Sequence, residues 1–401
     1  MRKFGLLFIA ALFAFTVNAQ KAKDLALTPP MGWNSWNIYA CDITEQLVRE
    51  VADAFVERGL KDAGYEYIVI DDCWQIERDE LGFIVADSVK FPSGIKALAD
   101  YIHSLGLKFG IYSDAGWKTC GGRPGSRGHE YQDAMKYAEW GVDYLKYDWC
   151  FTDGLKAEGA YLTMREALAA SGRPILFSMC EWGNSKPWEW AAEVGHMWRT
   201  TGDICAQWEG QMTHGTWTAW SAMTILDMQE GLREYAGPGH WNDPDMMEVG
   251  NNLTNSEDRA HFSMWCMIAA PLIAGTNIQT ASDAVIEVLT NNEAIAINQD
   301  ALGVQGFKQS DVDSLEVWYK PMSDGNWAVC FLNRNAMDQE INYNWAKQQI
   351  VDDFAKRGTH FDAVEYALRD VWAHKDLGTT KKPLKAVVPS HDVLMLQLTK
   401  K

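Results

Sequence analysis

The chain has 401 residues and a formal net charge of −18. A surface this acidic repels phosphate backbones, which excludes nucleic acid as a natural partner and leaves an uncharged ligand as the natural one. The 19 Trp and 14 Tyr suit a carbohydrate, because aromatic faces stack on the C–H faces of sugars, but the same rings also fill cores.

The first predicted element is a leader. Met1-Arg2-Lys3 precedes an apolar stretch at 4–15, and Val17-Asn18-Ala19 has the small-residue pattern that signal peptidase cuts after. Residues 1–19 are read as a signal peptide, so the mature protein is expected in the periplasm or the medium. The stretch is too short for a permanent anchor, no Cys at the cleavage point marks a lipoprotein, and no second stretch of spanning length follows. No membrane association is expected after cleavage. The roughly 380 residues that remain exceed what one core usually fills, which predicts one large and one small domain.

Residues 26–298 alternate short β-type runs with longer amphipathic ones, in eight pairs. The strand candidates are 30–36, 65–74, 107–114, 142–149, 174–182, 196–204, 240–246 and 272–276. The helical candidate at 44–64 shows the pattern: Leu47, Val48, Val51, Ala52, Phe55 and Val56 form one apolar stripe, with Gly64 as the expected stop. Such alternation gives a parallel sheet covered by helices, and eight repeats close a (β/α)8 TIM barrel, expected over 20–305. An open doubly wound sheet usually carries Gly-x-Gly-x-x-Gly after its first strand, where this chain has Asn34-Ser35-Trp36-Asn37. Beyond Asn298-Gln299-Asp300 the period changes to two, as in residues 315–319, 327–332 and 392–398. Half-buried strands of an antiparallel β-sandwich domain are expected over 306–401, packed rigidly on the barrel because no low-complexity linker intervenes.

Barrel active sites form at the C-terminal ends of the strands, and five of the candidate strands end in acids or lead into them. Strand two ends Asp71-Asp72-Cys73-Trp74, strand three Tyr112-Ser113-Asp114, strand four Lys146-Tyr147-Asp148, strand six Arg199-Thr200-Thr201-Gly202-Asp203 and strand seven Asp243-Pro244-Asp245-Met246. Lys146 and Asp148, two apart, point to the same side. A lysine there keeps a carboxylate ionised and able to attack, or else the two form a structural ion pair. Asp203 on a rim could act as a general acid if a second carboxylate raises its pKa, or could cap a helix. The Asp71-Asp72 pair suits a cation or sugar hydroxyls. The Gly-rich run at 121–128 lacks the Lys-Ser/Thr of a phosphate loop and reads as a mobile rim. Eight singly spaced Cys and nine His form no zinc spacing, no His-x-His and no His-Glu-x-x-His, so neither metal nor cofactor is expected.

These motifs, together with Pro30-Met31-Gly32-Trp33-Asn34-Ser35-Trp36, Gly110-Ile111-Tyr112-Ser113-Asp114, Cys180-Glu181-Trp182-Gly183 and Trp241-Asn242-Asp243-Pro244-Asp245-Met246, resemble the family 27 glycoside hydrolases of α-galactosidase and α-N-acetylgalactosaminidase type. The resemblance covers nearly the whole mature chain. It implies Asp148 as nucleophile and Asp203 as acid/base, Asp71 and Asp72 on the galactose O6 and O4, and Lys146 on O3 and O4. It further implies Trp36 and Tyr112 as pocket walls, Trp182 near O2, Arg199 at the O2 and O3 edge, and Asp245 with Met246 on the rim. Disulfides Cys41–Cys73 and Cys120–Cys150 follow from the same resemblance, each stabilising by about 3 to 4 kcal/mol in the chain-entropy model. Cys180 lacks its family partner because Gly195 stands there, and is read as a pocket-lining thiol unless it contacts Cys205.

The implied reaction is hydrolysis of terminal α-galactosides from oligosaccharides or glycans with retention. A β-L-arabinopyranosidase and an α-N-acetylgalactosaminidase are the rivals on the same scaffold, and a non-catalytic galactose-binding protein is the rival of another class. Asp71 favours a sugar with a hydroxymethyl group, and Glu181-Trp182 should clash with an N-acetyl group. Aglycone and oligomeric state are not readable from the chain.

Overall fold

The structure, a computed structural model, describes residues 21–401; the expected signal peptide lies outside the described residues. Eight parallel strands form the first sheet: β1 (Met31–Asn34), β2 (Tyr67–Val69), β3 (Lys108–Asp114), β4 (Tyr144–Asp148), β5 (Leu176–Met179), β6 (Met197–Arg199), β7 (Trp241–Asp243) and β8 (Leu272–Ala274). Their order is β7-β6-β5-β4-β3-β2-β1-β8. The outer strands meet through Met247, just past β7, which donates its N–H to the Ile273 carbonyl and accepts from the Gly275 N–H. The sheet is therefore closed, and the expected barrel is what the chain forms. Every residue of β1, β2, β5, β6, β7 and β8 is buried, as parallel strands covered on both faces must be.

The strands are shorter than the apolar runs that announced them. The run at 65–74 yields only three ladder residues, because Asp71 and Asp72 turn out of the ladder into a cavity and Cys73 takes a left-handed φ of 74°. The first covering helix, α1 (Glu45–Glu57), is capped by the Thr44 hydroxyl, which accepts from the Leu47 N–H. It stops at Glu57 and not at Gly64. Gly59, at φ 81°, sends its N–H to Val56 and lets Leu60 reach back to Phe55, a Schellman turn that ends the helix one glycine early. Helices α2 (Ile95–Ser104), α3 (Glu130–Trp140) and α4 (Ala157–Ala170) follow.

The fifth crossover departs from the eight-pair reading. It contains only two 3₁₀ turns, Pro187–Glu189 and Ala191–Glu193, bracketed by Gly183 and Gly195. Lys186 takes a left-handed φ of 52°, Pro187 offers no amide hydrogen, and Trp190, at φ −134°, parts the two turns, so neither grows into a helix. The remaining covering helices are α5 (Ala222–Met228), α6 (Asn255–Met267), α7 (Asp283–Leu289) and α8 (Asn292–Asn298). Among the described residues no helix is long and apolar enough to cross a membrane.

The second unit is an antiparallel sheet of β9 (Phe307–Val312), β10 (Leu315–Pro321), β11 (Trp327–Asn333), β12 (Tyr366–Asp370), β13 (Lys375–Thr379) and β14 (Val393–Lys400), ordered β9-β10-β11-β14-β12-β13. Two antiparallel strand pairs, Gln339–Tyr343 with Leu384–Val388 and Gln349–Asp352 with Arg357–His360, cover one face. The expected half-burial of these strands needs correcting for the central ones. Val317, Tyr319, Val329 and Phe331 enter the core of the β unit, while Trp318, Ala328, Cys330 and Leu332 join the barrel core. With both faces covered, β11 is buried throughout. Arg233, below the barrel, makes two 2.8 Å hydrogen bonds to the buried carboxylate of Asp352 and locks the two units together.

Candidate active site

At the C-terminal ends of the barrel strands lies a cavity of about 680 Å³. Its wall contains Trp36, Asp71, Asp72, Tyr112, Lys146, Asp148, Trp182, Arg199, Asp203, Asp245 and Met246, all drawn from the sequence reading. They come from the ends of six strands and the loop after β5, so no stretch of chain holds the site alone. Cys180 lies deeper than these. Its thiol is buried and lines a recess of about 20 Å³ that shares Lys146, Arg199, Asp245 and Met246 with the cavity, and the Arg199 guanidinium approaches its sulfur at 3.6 Å. Cys180 directly follows β5, where its N–H donates to the Tyr147 carbonyl of β4 at 2.9 Å. It forms no bond with Cys205; both are free thiols, as are Cys266 and Cys330. The expected disulfides Cys41–Cys73 and Cys120–Cys150 are present.

Asp148 ends β4 with only 6% of its surface exposed. One carboxylate oxygen accepts from the Tyr112 hydroxyl at 3.0 Å and the other from the Trp149 N–H at 2.9 Å. Burial raises its pKa to about 6; Lys146 opposes the rise, while the negative charges of Asp203 and Asp71 add to it. Lys146 does not bond Asp148 directly. Its ammonium lies 2.8 Å from Asp71 and 5.4 Å above the Tyr112 ring, so it acts on the nucleophile candidate through its field.

Asp71 also accepts from the Asn34 amide at 2.8 Å. Asp72 accepts from the Gly121 and Cys73 amides, each at 2.6 Å, and burial raises its pKa. Together these donors answer the repulsion of two adjacent carboxylates. The Gly-rich run is thus more than a rim: a Cβ on Gly121 would stand 2.8 Å from the Cys73 sulfur and 2.9 Å from Asp72.

Asp203 differs in setting. Its side chain is 44% exposed and is held at 3.2 Å by Arg199, which also grips Asp245 at 2.7 Å. It caps no helix, since the next one is capped by Ser221. Asp245 adopts φ 96° and Trp182 φ 61°, uncommon backbone for either residue, and both turn toward the cavity. Burial pushes Asp245 up to about 6, opposed by Arg199. Six carboxyl groups, counting Glu248, face two cations across this cavity. Such a field favours a neutral ligand that gains positive charge on reacting.

A family model described as alpha galactosidase A matches residues 28–300, and one for the alpha galactosidase C-terminal beta sandwich domain matches 312–398. The chain belongs to the α-galactosidase A family. It is a glycoside hydrolase of the α-galactosidase type. It is 54% identical over 390 residues to alpha-galactosidase A of Cellvibrio japonicus, covering 97% of this chain and 96% of that one. Alpha-galactosidase I from Mortierella vinacea superposes with a TM-score of 0.86 at 34% identity, over 94% of this chain and 98% of its own. The α-galactosidase of Saccharomyces cerevisiae solved with raffinose gives 0.86 at 31% identity, over 94% and 99%.

In this α-galactosidase fold several cavity residues carried no signal in the chain. Asn34 was visible only as part of a motif, and its hold on Asp71 needs the neighbouring strand. Glu248 lines the cavity between the Asn37 and Asn251 amides, at 2.8 and 2.6 Å, and burial pushes it up to about 7. Trp217 and Thr218, on a hairpin after β6, also line the cavity, though nothing in their local pattern separates them from an ordinary turn. Glu181 was expected beside Trp182 at the sugar. It is buried behind the loop, where it accepts from the Ser185 N–H at 2.7 Å, and only Trp182 reaches the cavity. Asp114, Cys120 and Cys150 bring potential ligand atoms within 4.8 Å of one another, but both sulfurs are committed to the disulfide.

Proposed function

We propose that the cavity hydrolyses terminal α-D-galactosyl groups from oligosaccharides or glycans with retention of configuration. Asp148 attacks the anomeric carbon while Asp203 protonates the glycosidic oxygen; water, deprotonated by Asp203, then releases galactose from the glycosyl-Asp148 intermediate. The observation that carries this reading is the unequal pair of carboxyl groups on one cavity. Asp148 is buried with both oxygens held, leaving a fixed attacking atom, and Asp203 is half exposed, where a leaving group and then water can meet it. Tyr112 and the Trp149 amide orient the nucleophile. Asp71, Asp72 and Lys146 offer acceptors and donors at one corner for the O4 and O6 hydroxyls, while Trp36 supplies an aromatic wall. The acidic cavity stabilises the oxocarbenium-like transition state. The likeness to an enzyme solved with raffinose supports an oligosaccharide bearing terminal galactose.

We also infer export, supported by the N-terminal pattern and by two disulfides, which persist in oxidising compartments. The test is stereochemical. Proton NMR during turnover of a nitrophenyl α-galactoside should show α-galactose first, with the β anomer appearing only by mutarotation. Asp148→Asn should lose nearly all turnover with its fold intact. Initial release of β-galactose, or an active Asp148→Asn enzyme, would overturn the assignment.

A further inference from the structure

The cavity has a polar inner end and an aromatic outer edge, and the outer edge belongs to one hairpin. Its strands, Gln211–His214 and Trp217–Trp220, stand away from the barrel between β6 and α5, with the first strand exposed along its whole length. Trp217 lines the cavity although 49% of its surface is exposed. An exposed indole ordinarily has little to hold it in one orientation. Here the His214 ring stacks on it at 4.2 Å between centroids and 16° between planes, covering one face and leaving the other open. Thr218 follows on the cavity wall.

The hairpin is tied to the catalytic acid itself. The Trp220 N–H donates to the Asp203 carbonyl at 2.8 Å, and the Cys205 N–H donates to the Trp220 carbonyl at 2.8 Å. Gly202, next to Asp203, packs so close that a Cβ there would stand 3.3 Å from the Trp220 indole nitrogen. A general acid must lie beside the oxygen it protonates, so the element fastened to Asp203 flanks the departing group and not the galactose. Other exposed rings lack this placement: Trp117 is 63% exposed but lies outside the cavity wall.

We propose that Trp217, backed by His214 and flanked by Thr218, forms a subsite that stacks the pyranose ring leaving with the glycosidic oxygen, and so sets this enzyme's preference for sugar aglycones. The inference rests on the retaining α-galactosidase reading above. A hexopyranose presents an apolar C–H face to the open indole face and a hydroxyl edge to Thr218 and solvent. Aromatic stacking of this kind changes binding by about five- to tenfold per ring.

The experiment compares melibiose, whose leaving group is a hexose, with α-galactosyl fluoride, whose leaving group reaches no second subsite. In Trp217→Ala the ratio of kcat/KM for melibiose to kcat/KM for the fluoride should fall about five- to tenfold, with most of the change in KM. Trp217→Phe should recover most of the ratio, and His214→Ala should lower it by less than Trp217→Ala. An equal loss on both substrates, or an unchanged ratio, overturns the subsite. If the wild-type enzyme turned over neither substrate, the α-galactosidase reading would fail instead, so the two failures are distinct.

Discussion

Lys146 and Asp148 leave β4 two residues apart, and the two effects that act on Asp148 have opposite signs. Burial disfavours the carboxylate, while the ammonium of Lys146 favours it, and the balance leaves the group pushed up to about 6. A nucleophile must be ionised, so kcat/KM should fall on the acid side as Asp148 takes up a proton, with an apparent pKa near 6 that belongs to the coupled acids of the cavity. Removing the cation removes the opposing effect. In Lys146→Met the acid limb should move to higher pH, in addition to any loss of substrate binding, as read from a pH profile with α-galactosyl fluoride. A limb that stays in place or moves to lower pH would show that the lysine's field does not reach the nucleophile.

The loop after β5 shows how an element without a helix can still position a ring. Gly183 lies so close to β6 that a Cβ would meet the Thr200 carbonyl at 2.3 Å, and Glu181 pins the Ser185 amide behind it. Between them Trp182 is forced into left-handed backbone and out over the cavity. If its ring occupies the space beside the sugar's O2, Trp182→Ala alone should shift relative kcat/KM toward α-N-acetylgalactosaminides. The expected size is on the order of 1 to 3 kcal/mol, with a loss on the galactoside. Glu181→Ala should loosen the loop without changing the preference. An unaltered preference in Trp182→Ala would place the ring elsewhere around the sugar.

Across the whole molecule, the barrel buries acids that hold protons more tightly when folded. Asp114 is pushed up to about 9 by burial and the nearby Asp148, and Glu248 to about 7 by burial. Unfolded, both ionise near pH 4, so between there and their folded pKa the native state carries the extra protons, and stability is lost as pH rises. Buried His196 and His261, lowered to about 4 and about 3, oppose this slope while their unfolded forms, with a pKa near 6.5, still hold protons, and that opposition fades by about pH 7.5. Lys21 and Lys320, lowered to about 8, lose their native-state protons as pH rises toward that value and bring the opposite slope, which offsets the acids by about pH 8. Thermal unfolding should therefore give a falling Tm from about pH 6.5 to 7.5, reinforced by self-repulsion of the acidic surface. A flat or rising Tm over that interval would contradict it.

The chain by itself determined the alternation that closes a barrel, the change of period that begins the β unit, and the acids at the strand ends. Each is a local pattern: apolar spacing reports which face is buried, and carboxylates at the end of a buried run are hard to explain as core. Tertiary structure decided what depends on distance between segments. It left Cys180 unbonded to Cys205, turned Glu181 away from the cavity, and paired Lys146 with Asp71 although Asp148 is its neighbour in sequence. It buried both faces of β11 against two cores, which no period in a single strand announces. It also brought Trp217 to the mouth beside Asp203, because hairpin contacts join residues that the sequence sets apart. Side-chain direction and strand-to-strand proximity are properties of the closed barrel, and they arise only when all eight strands are in register.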